Sequence, residues 1–81
     1  MPWKNEPLEL FPRRLRMAMV ARKMNSADIM RASTLGNGQV SSYLNGHQEP
    51  RILTLVKLCK ALNVSADFLL GLTNKMRPLE K

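Results

Sequence analysis

Ile52, Leu55, Val56, Cys59 and Leu62 recur at i, i+3, i+4, i+7 and i+10, the spacing that lines one face of an α-helix. No stretch of the chain alternates apolar and polar residues with a period of two. The core must therefore come from helix packed on helix. The chain has 81 residues, enough for one such core and too few for two. With 44% apolar residues it can bury a globular interior, and it is too apolar for a disordered tail. Its apolar runs are only a few residues long, far short of a membrane span. Cys59 is the single cysteine, so neither an internal disulfide nor a zinc site is expected. The opening residues lack the apolar core of a signal peptide, and a reduced, cytoplasmic location is expected.

Five helices are predicted. Residues 1–10, with two prolines and no sustained period, read as an extended N-terminal arm. Pro12 suits the first turn of a helix, and Phe11, Leu15, Ala18 and Met19 form its apolar stripe to about Lys23. Asn25, with Asp28 three residues on, resembles a capping box and opens a second helix, Ser26 to about Ser33, with Ile29 and Met30 inward. The glycine-bearing turn Thr34–Gly38 leads to a third, with Val40, Tyr43 and Leu44 inward. Asn45 and Gly46 stop it, because glycine tolerates the left-handed C′ geometry. The fourth helix carries the opening stripe and closes at Asn63. Ser65 caps a short fifth helix anchored by Phe68, Leu69 and Leu70. Thr73 to Lys81 is polar and contains Pro78, and it reads as frayed, within a C-terminal tail placed at 72–81. The domain is thus placed at 11–71.

Charge points toward a partner. Thirteen Lys and Arg against six Asp and Glu give a net +7, a field that attracts polyanions. The basic residues are spread out, with Arg13, Arg14, Arg16, Arg22 and Lys23 on the first helix and Lys75, Arg77 and Lys81 in the tail. A solvated face that steers association is the reading for the helical arginines. The membrane surface is excluded as a partner, because the basic first helix spends its apolar stripe on the core.

Two short helices joined by a tight turn describe a helix-turn-helix unit. The first helix braces the second, and the free face of the second can enter a DNA major groove. The outward positions of the third helix are Asn37, Gly38, Gln39, Ser41, Ser42 and Asn45. Amides and hydroxyls on one small face suit base-edge hydrogen bonding. Asn37 and Gln39 can each hold adenine in a bidentate way, Gly38 allows close backbone approach, and Ser42 lies one turn beyond it. No Arg or Lys lies on this face, so adenine–thymine contacts and DNA shape should outweigh guanine readout. Arg51, just before the fourth helix, is the best phosphate candidate by position. The helix start at Asn25 and Ser26 offers backbone N–H groups to an anion. His47 is solitary, which argues against metal or catalytic work and leaves it a contact to the DNA backbone from its loop.

Four stretches in register then resemble one family: Phe11–Arg16, Met24–Met30, Val40–Gly46 and Pro50–Gly71. The chain is similar to the phage-repressor and Cro-type helix-turn-helix proteins of bacteria and phages over residues 11 to 71. The resemblance implies an all-α, compact five-helix domain of the lambda-repressor-like type, acting as a homodimer on a two-fold operator. It further implies base reading at Asn37, Gly38 and Ser42, and phosphate contacts at Asn25, Ser26, Asn45 and Arg51. Two departures stand out. Ser26 occupies a place where the family usually has Gln, and it reaches phosphate less far. Met19 and Leu44 occupy places where the family often pairs Arg with Glu, so an apolar contact is expected instead, a replacement that need not weaken the fold.

The leading expectation is a sequence-specific double-stranded DNA-binding regulator acting as a repressor. The alternative is a protein-interaction module that keeps the fold without readout, motivated by Ser26, the glycines and the uncharged recognition face. An enzyme is the weakest reading, since one His, no P-loop and no paired carboxylates leave nothing to build a mechanism on. No cofactor, metal or small-molecule substrate is expected. Cys59 reads as inert core, the later methionines read as packing, and Trp3 reads as an aromatic that either folds back or meets a partner subunit.

Overall fold

The computed structural model describes residues 6–79 and gives five helices in chain order. They are α1 (Glu6–Arg22), α2 (Ser26–Ser33), α3 (Asn37–Leu44), α4 (Ile52–Leu62) and α5 (Ala66–Leu69). Among the described residues there is no strand. Helix α1 packs on α3 and α5, α2 packs on α3 and α4, and α4 meets α5. The core joins Phe11, Leu15, Ala18, Ile29, Val40, Tyr43, Leu58, Leu62, Val64, Phe68 and Leu69 from all five helices and the turns between them.

The arm expected over residues 1–10 is helical from Glu6 onward, and Pro12 lies inside α1 rather than at its start. Proline removes one backbone hydrogen bond there, and packing compensates. Phe11 is buried, and Leu10 lies against the last turn of the fold, where a Cβ built on Gly71 would come 2.6 Å from Leu10 Cδ1. Gly71 has φ +81, so both its conformation and its space require glycine. Trp3 lies outside the described residues.

Local chemistry sets the other helix ends. Asn25 Oδ1 accepts from the Asp28 N–H at 2.9 Å, and the Asp28 carboxylate accepts from the Asn25 N–H at 2.9 Å, the reciprocal capping box. Asp28 also pairs with Arg31. Gly46, at φ 73, ends α3 while the His47 N–H reaches back to the Ser42 carbonyl at 2.9 Å. Asn63 closes α4 in the left-handed region at φ 51.

Two expectations fail at α4 and beyond. Ile52 and Val56, assigned to the core stripe, are 83% and 41% exposed, whereas Leu58, outside that stripe, is fully buried. Helix α4 carries Ile52, Leu53, Leu55, Val56, Leu58, Cys59 and Leu62, an apolar arc wider than α1, α2 and α5 cover. The tail, expected to fray, is tied down through Thr73, Asn74, Arg77 and Leu79. The Ser65 N–H donates to the Arg77 carbonyl at 2.8 Å, the Leu79 N–H donates to Asn63 Oδ1 at 3.1 Å, and Met76 packs against the core.

Of the α1 arginines, Arg13 is exposed as expected of a solvated face, whereas Arg14 and Arg22 are tied across the fold. Arg14 donates to the Thr73 carbonyl at 3.0 Å and to Asn74 Oδ1 at 2.8 Å, with its guanidinium 4.7 Å from the centre of the Phe68 ring. Arg22 donates to the carbonyls of Leu62 and Asn63 at 2.8 and 2.9 Å, satisfying groups that the C-terminus of α4 leaves free.

Candidate nucleic-acid interface

Helices α2 and α3 are joined by Thr34, Leu35 and Gly36. Thr34 takes the left-handed conformation at φ 61, and Leu35 turns into the core. Ser33, buried between them, donates to the Ile29 carbonyl and accepts from the Leu35 N–H, so its hydroxyl fixes the start of the turn. The result is two eight-residue helices whose mutual angle is set by a buried, hydrogen-bonded corner.

Behind α3, Val40 and Tyr43 are 1% and 3% exposed. Tyr43 meets Phe11 of α1 edge to face, with ring centroids 6.1 Å apart, a contact geometry favoured by the ring quadrupoles. Leu44 packs against the core cluster that includes Met19. Arg16 adds a tie that the sequence pattern did not flag: its guanidinium donates to the Leu44 carbonyl at 3.1 Å. The signal was weak, because the acceptor is backbone and carries no side-chain identity.

In front, Asn37, Gly38, Gln39, Ser41 and Asn45 are exposed and Ser42 is half-buried. At about 100° per residue, Gly38, Ser41, Ser42 and Asn45 project opposite the buried edge, and Asn37 and Gln39 flank them. Nothing in the protein lies within 4 Å of a Cβ built on Gly38, so this glycine leaves space on the outer side. Gln39 Oε1 accepts from the Gly36 N–H at 3.1 Å, which engages that amide oxygen in starting the helix. Asn45 Nδ2 reaches Ser41 Oγ at 3.3 Å.

A profile of the Cro/C1-type helix-turn-helix DNA-binding domain matches residues 14–74. The chain belongs to that family. No curated protein and no solved structure compared with the chain matches it significantly.

Around the recognition helix of this Cro/C1-type domain, the remaining candidate residues fall in two places. Asn45 ends α3, His47 is exposed in the following loop, and Arg51 is exposed as the residue preceding α4, where its side chain makes no capping bond. Asn25 and Ser26 lie at the other end of α2, a helix length of about 12 Å from the turn. There the Asn25 side chain is engaged in the capping box, and the Asp28 carboxylate already occupies the positive end of the helix.

Cys59 is buried and burial pushes its thiol pKa up, which suits an unreactive residue. Among the described residues, no three His, Cys, Asp or Glu side chains gather as metal ligands, and no helix is long and apolar enough to cross a membrane.

Proposed function

We propose that this Cro/C1-type domain is a sequence-specific transcriptional regulator, a cytoplasmic repressor that occupies a two-fold operator as a homodimer and thereby excludes polymerase or a competing regulator. The observation that carries this reading is the outer face of α3. It displays Asn37, Ser41 and Asn45 to solvent while Val40 and Tyr43 anchor it from behind, so polar groups are held in place before DNA arrives. In this reading Asn37, Gly38 and Ser42 contact bases, with Gln39 in support through its amide nitrogen. Asn45, His47 and Arg51 hold phosphates beside the groove, and Asn25 and Ser26 hold one at the start of α2. Two half-sites would lie about 34 Å apart, or a multiple of that.

Selection of bound duplexes from a randomised pool, followed by electrophoretic shift of the selected and scrambled sequences, tests this directly. A shared two-fold sequence bound far more tightly than scrambled DNA is expected. Equal binding of both at moderate salt overturns the proposal.

One feature favours a second reading, a protein-interaction module on the same fold: the Asp28 carboxylate at the α2 terminus where a phosphate would sit. A partner retained equally after Asn37→Ala and Gln39→Ala, with no DNA affinity, would establish it.

A further inference from the structure

Helix α3 is short, and its own sequence does little to hold its far end. It has no acidic residue in its first turn and no basic residue in its last, so neither end of its dipole meets a charge of its own. The last four carbonyls of a helix have no partner within it, and here each is met in turn. The Ser41 carbonyl accepts from the Asn45 N–H at 3.0 Å, the Ser42 carbonyl from the His47 N–H at 2.9 Å, and the Tyr43 carbonyl from the Gly46 N–H at 3.3 Å. The fourth, on Leu44, is met from another helix, by the Arg16 guanidinium of α1 at 3.1 Å. Arg14 and Arg22 make bonds of the same kind elsewhere, to Thr73 of the tail and to Leu62 and Asn63 at the end of α4. Of these three arginines, Arg16 is the one that reaches the helix bearing Asn37, Ser42 and Asn45.

We infer that Arg16 is a positioning residue for DNA reading: it clamps the C-terminal end of α3, and so sets where Ser42 and Asn45 meet the duplex, without touching DNA itself. The inference rests on the proposal that α3 reads bases. Leu44 lies between Ser42 and Asn45, so a bond to its carbonyl bears on both. Asn37, at the start of the helix, lies about 10 Å away along its axis, beyond the influence of the clamp. The guanidinium also brings to this end the positive charge that the dipole favours. Arg16 is itself exposed and adds little to the core, so losing it should loosen the end of α3 and leave the fold intact.

Two measurements on wild type, Arg16→Met and Arg16→Lys test the inference. Methionine keeps the apolar stem without donor or charge, and lysine keeps a cationic donor. Amide hydrogen exchange of the free protein reads the clamp alone. In Arg16→Met the Asn45 and His47 amides should exchange about fivefold faster, with the Val40 amide unchanged, and Arg16→Lys should return most of the protection. Competition of the selected duplex against its single-base variants reads the consequence. Arg16→Met should lose about fivefold in discrimination at the base pairs where Ser42→Ala also loses it. It should lose none where Asn37→Ala does, and its salt slope should match wild type. Should Arg16→Met unfold, Arg16→Gln, neutral and shorter, takes its place with the same expectation.

Equal loss at both sets of base pairs would make Arg16 a general support of the fold and overturn the inference. A salt slope lowered by about one unit with sequence preference intact would make it a phosphate contact and overturn the inference too. Unchanged exchange in a chain that does read sequence ends the inference alone. A wild-type chain that prefers no sequence ends the base-reading proposal and the positioning role with it, whether or not exchange shows the clamp.

Discussion

The outward faces of α3 and of the first half of α4 are both exposed and both short, yet they carry opposite chemistry. On α3 solvent meets Asn37, Gly38, Gln39, Ser41 and Asn45; on α4 it meets Ile52, Leu53 and Val56. Water satisfies the amides and hydroxyls of the first face, so exposing them costs nothing until a partner offers complementary groups. The second face leaves apolar area hydrated at about 25 cal/mol per Å², so covering it is favourable for any partner of matching shape. The polar face selects its partner by hydrogen-bond geometry, and the apolar face by shape and absence of charge.

The largest effect should come from removing what only the α3 face depends on. Tyr43→Ala deletes the ring that props α3 against Phe11 and should cost about 3 kcal/mol or more of stability, measured by urea unfolding. If the loss is below about 1 kcal/mol, the prop is not what orders this face. Asn37→Ala, by contrast, should leave the unfolding midpoint nearly unchanged. It should lower discrimination between selected and scrambled duplexes by about 1–3 kcal/mol, read from competition binding. Equal loss on both duplexes would move Asn37 from base contact to general affinity.

A smaller effect separates DNA attraction from DNA reading. Arg51 stands between the two faces in the chain, just before α4. Arg51→Ala should lower the slope of log affinity against log salt by about one unit without altering sequence preference. A changed preference with an unchanged slope would place Arg51 at a base edge instead.

The two faces were not equally legible in the sequence. The α3 face followed from local rules. The Asn25–Asp28 capping box and the Asn45–Gly46 stop bound α2 and α3 by chemistry between near neighbours, and Val40, Tyr43 and Leu44 can share only one inward side. The α4 face was misread because periodicity locates an apolar arc without saying how much of it the rest of the chain covers. Ile52 and Val56 fit the helical spacing as well as Leu58 does, and only the placement of α1, α2 and α5 decides among them. The bonds from Arg14, Arg16 and Arg22 to backbone carbonyls were invisible for a related reason, since every residue presents the same acceptor. Pro12 could open a helix or sit within one, and the contact of Leu10 with Gly71, sixty-one positions along the chain, favours the second.

Gly38 offers the finest test, because stability and binding should move in opposite directions there. It lies in the first turn of α3, and an added Cβ would meet nothing within 4 Å. Gly38 is not among the residues with positive φ, so alanine meets no backbone obstacle. Alanine in a helix is favoured over glycine by up to about 1 kcal/mol, so Gly38→Ala should raise the unfolding free energy by a few tenths to about 1 kcal/mol. If DNA lies against this point of α3, the same methyl intrudes on it and affinity for the selected duplex should fall. Unchanged or tighter binding by the stabilised variant would mean that the groove wall does not approach Gly38. The reading face would then have to be centred further along the helix, toward Ser42 and Asn45.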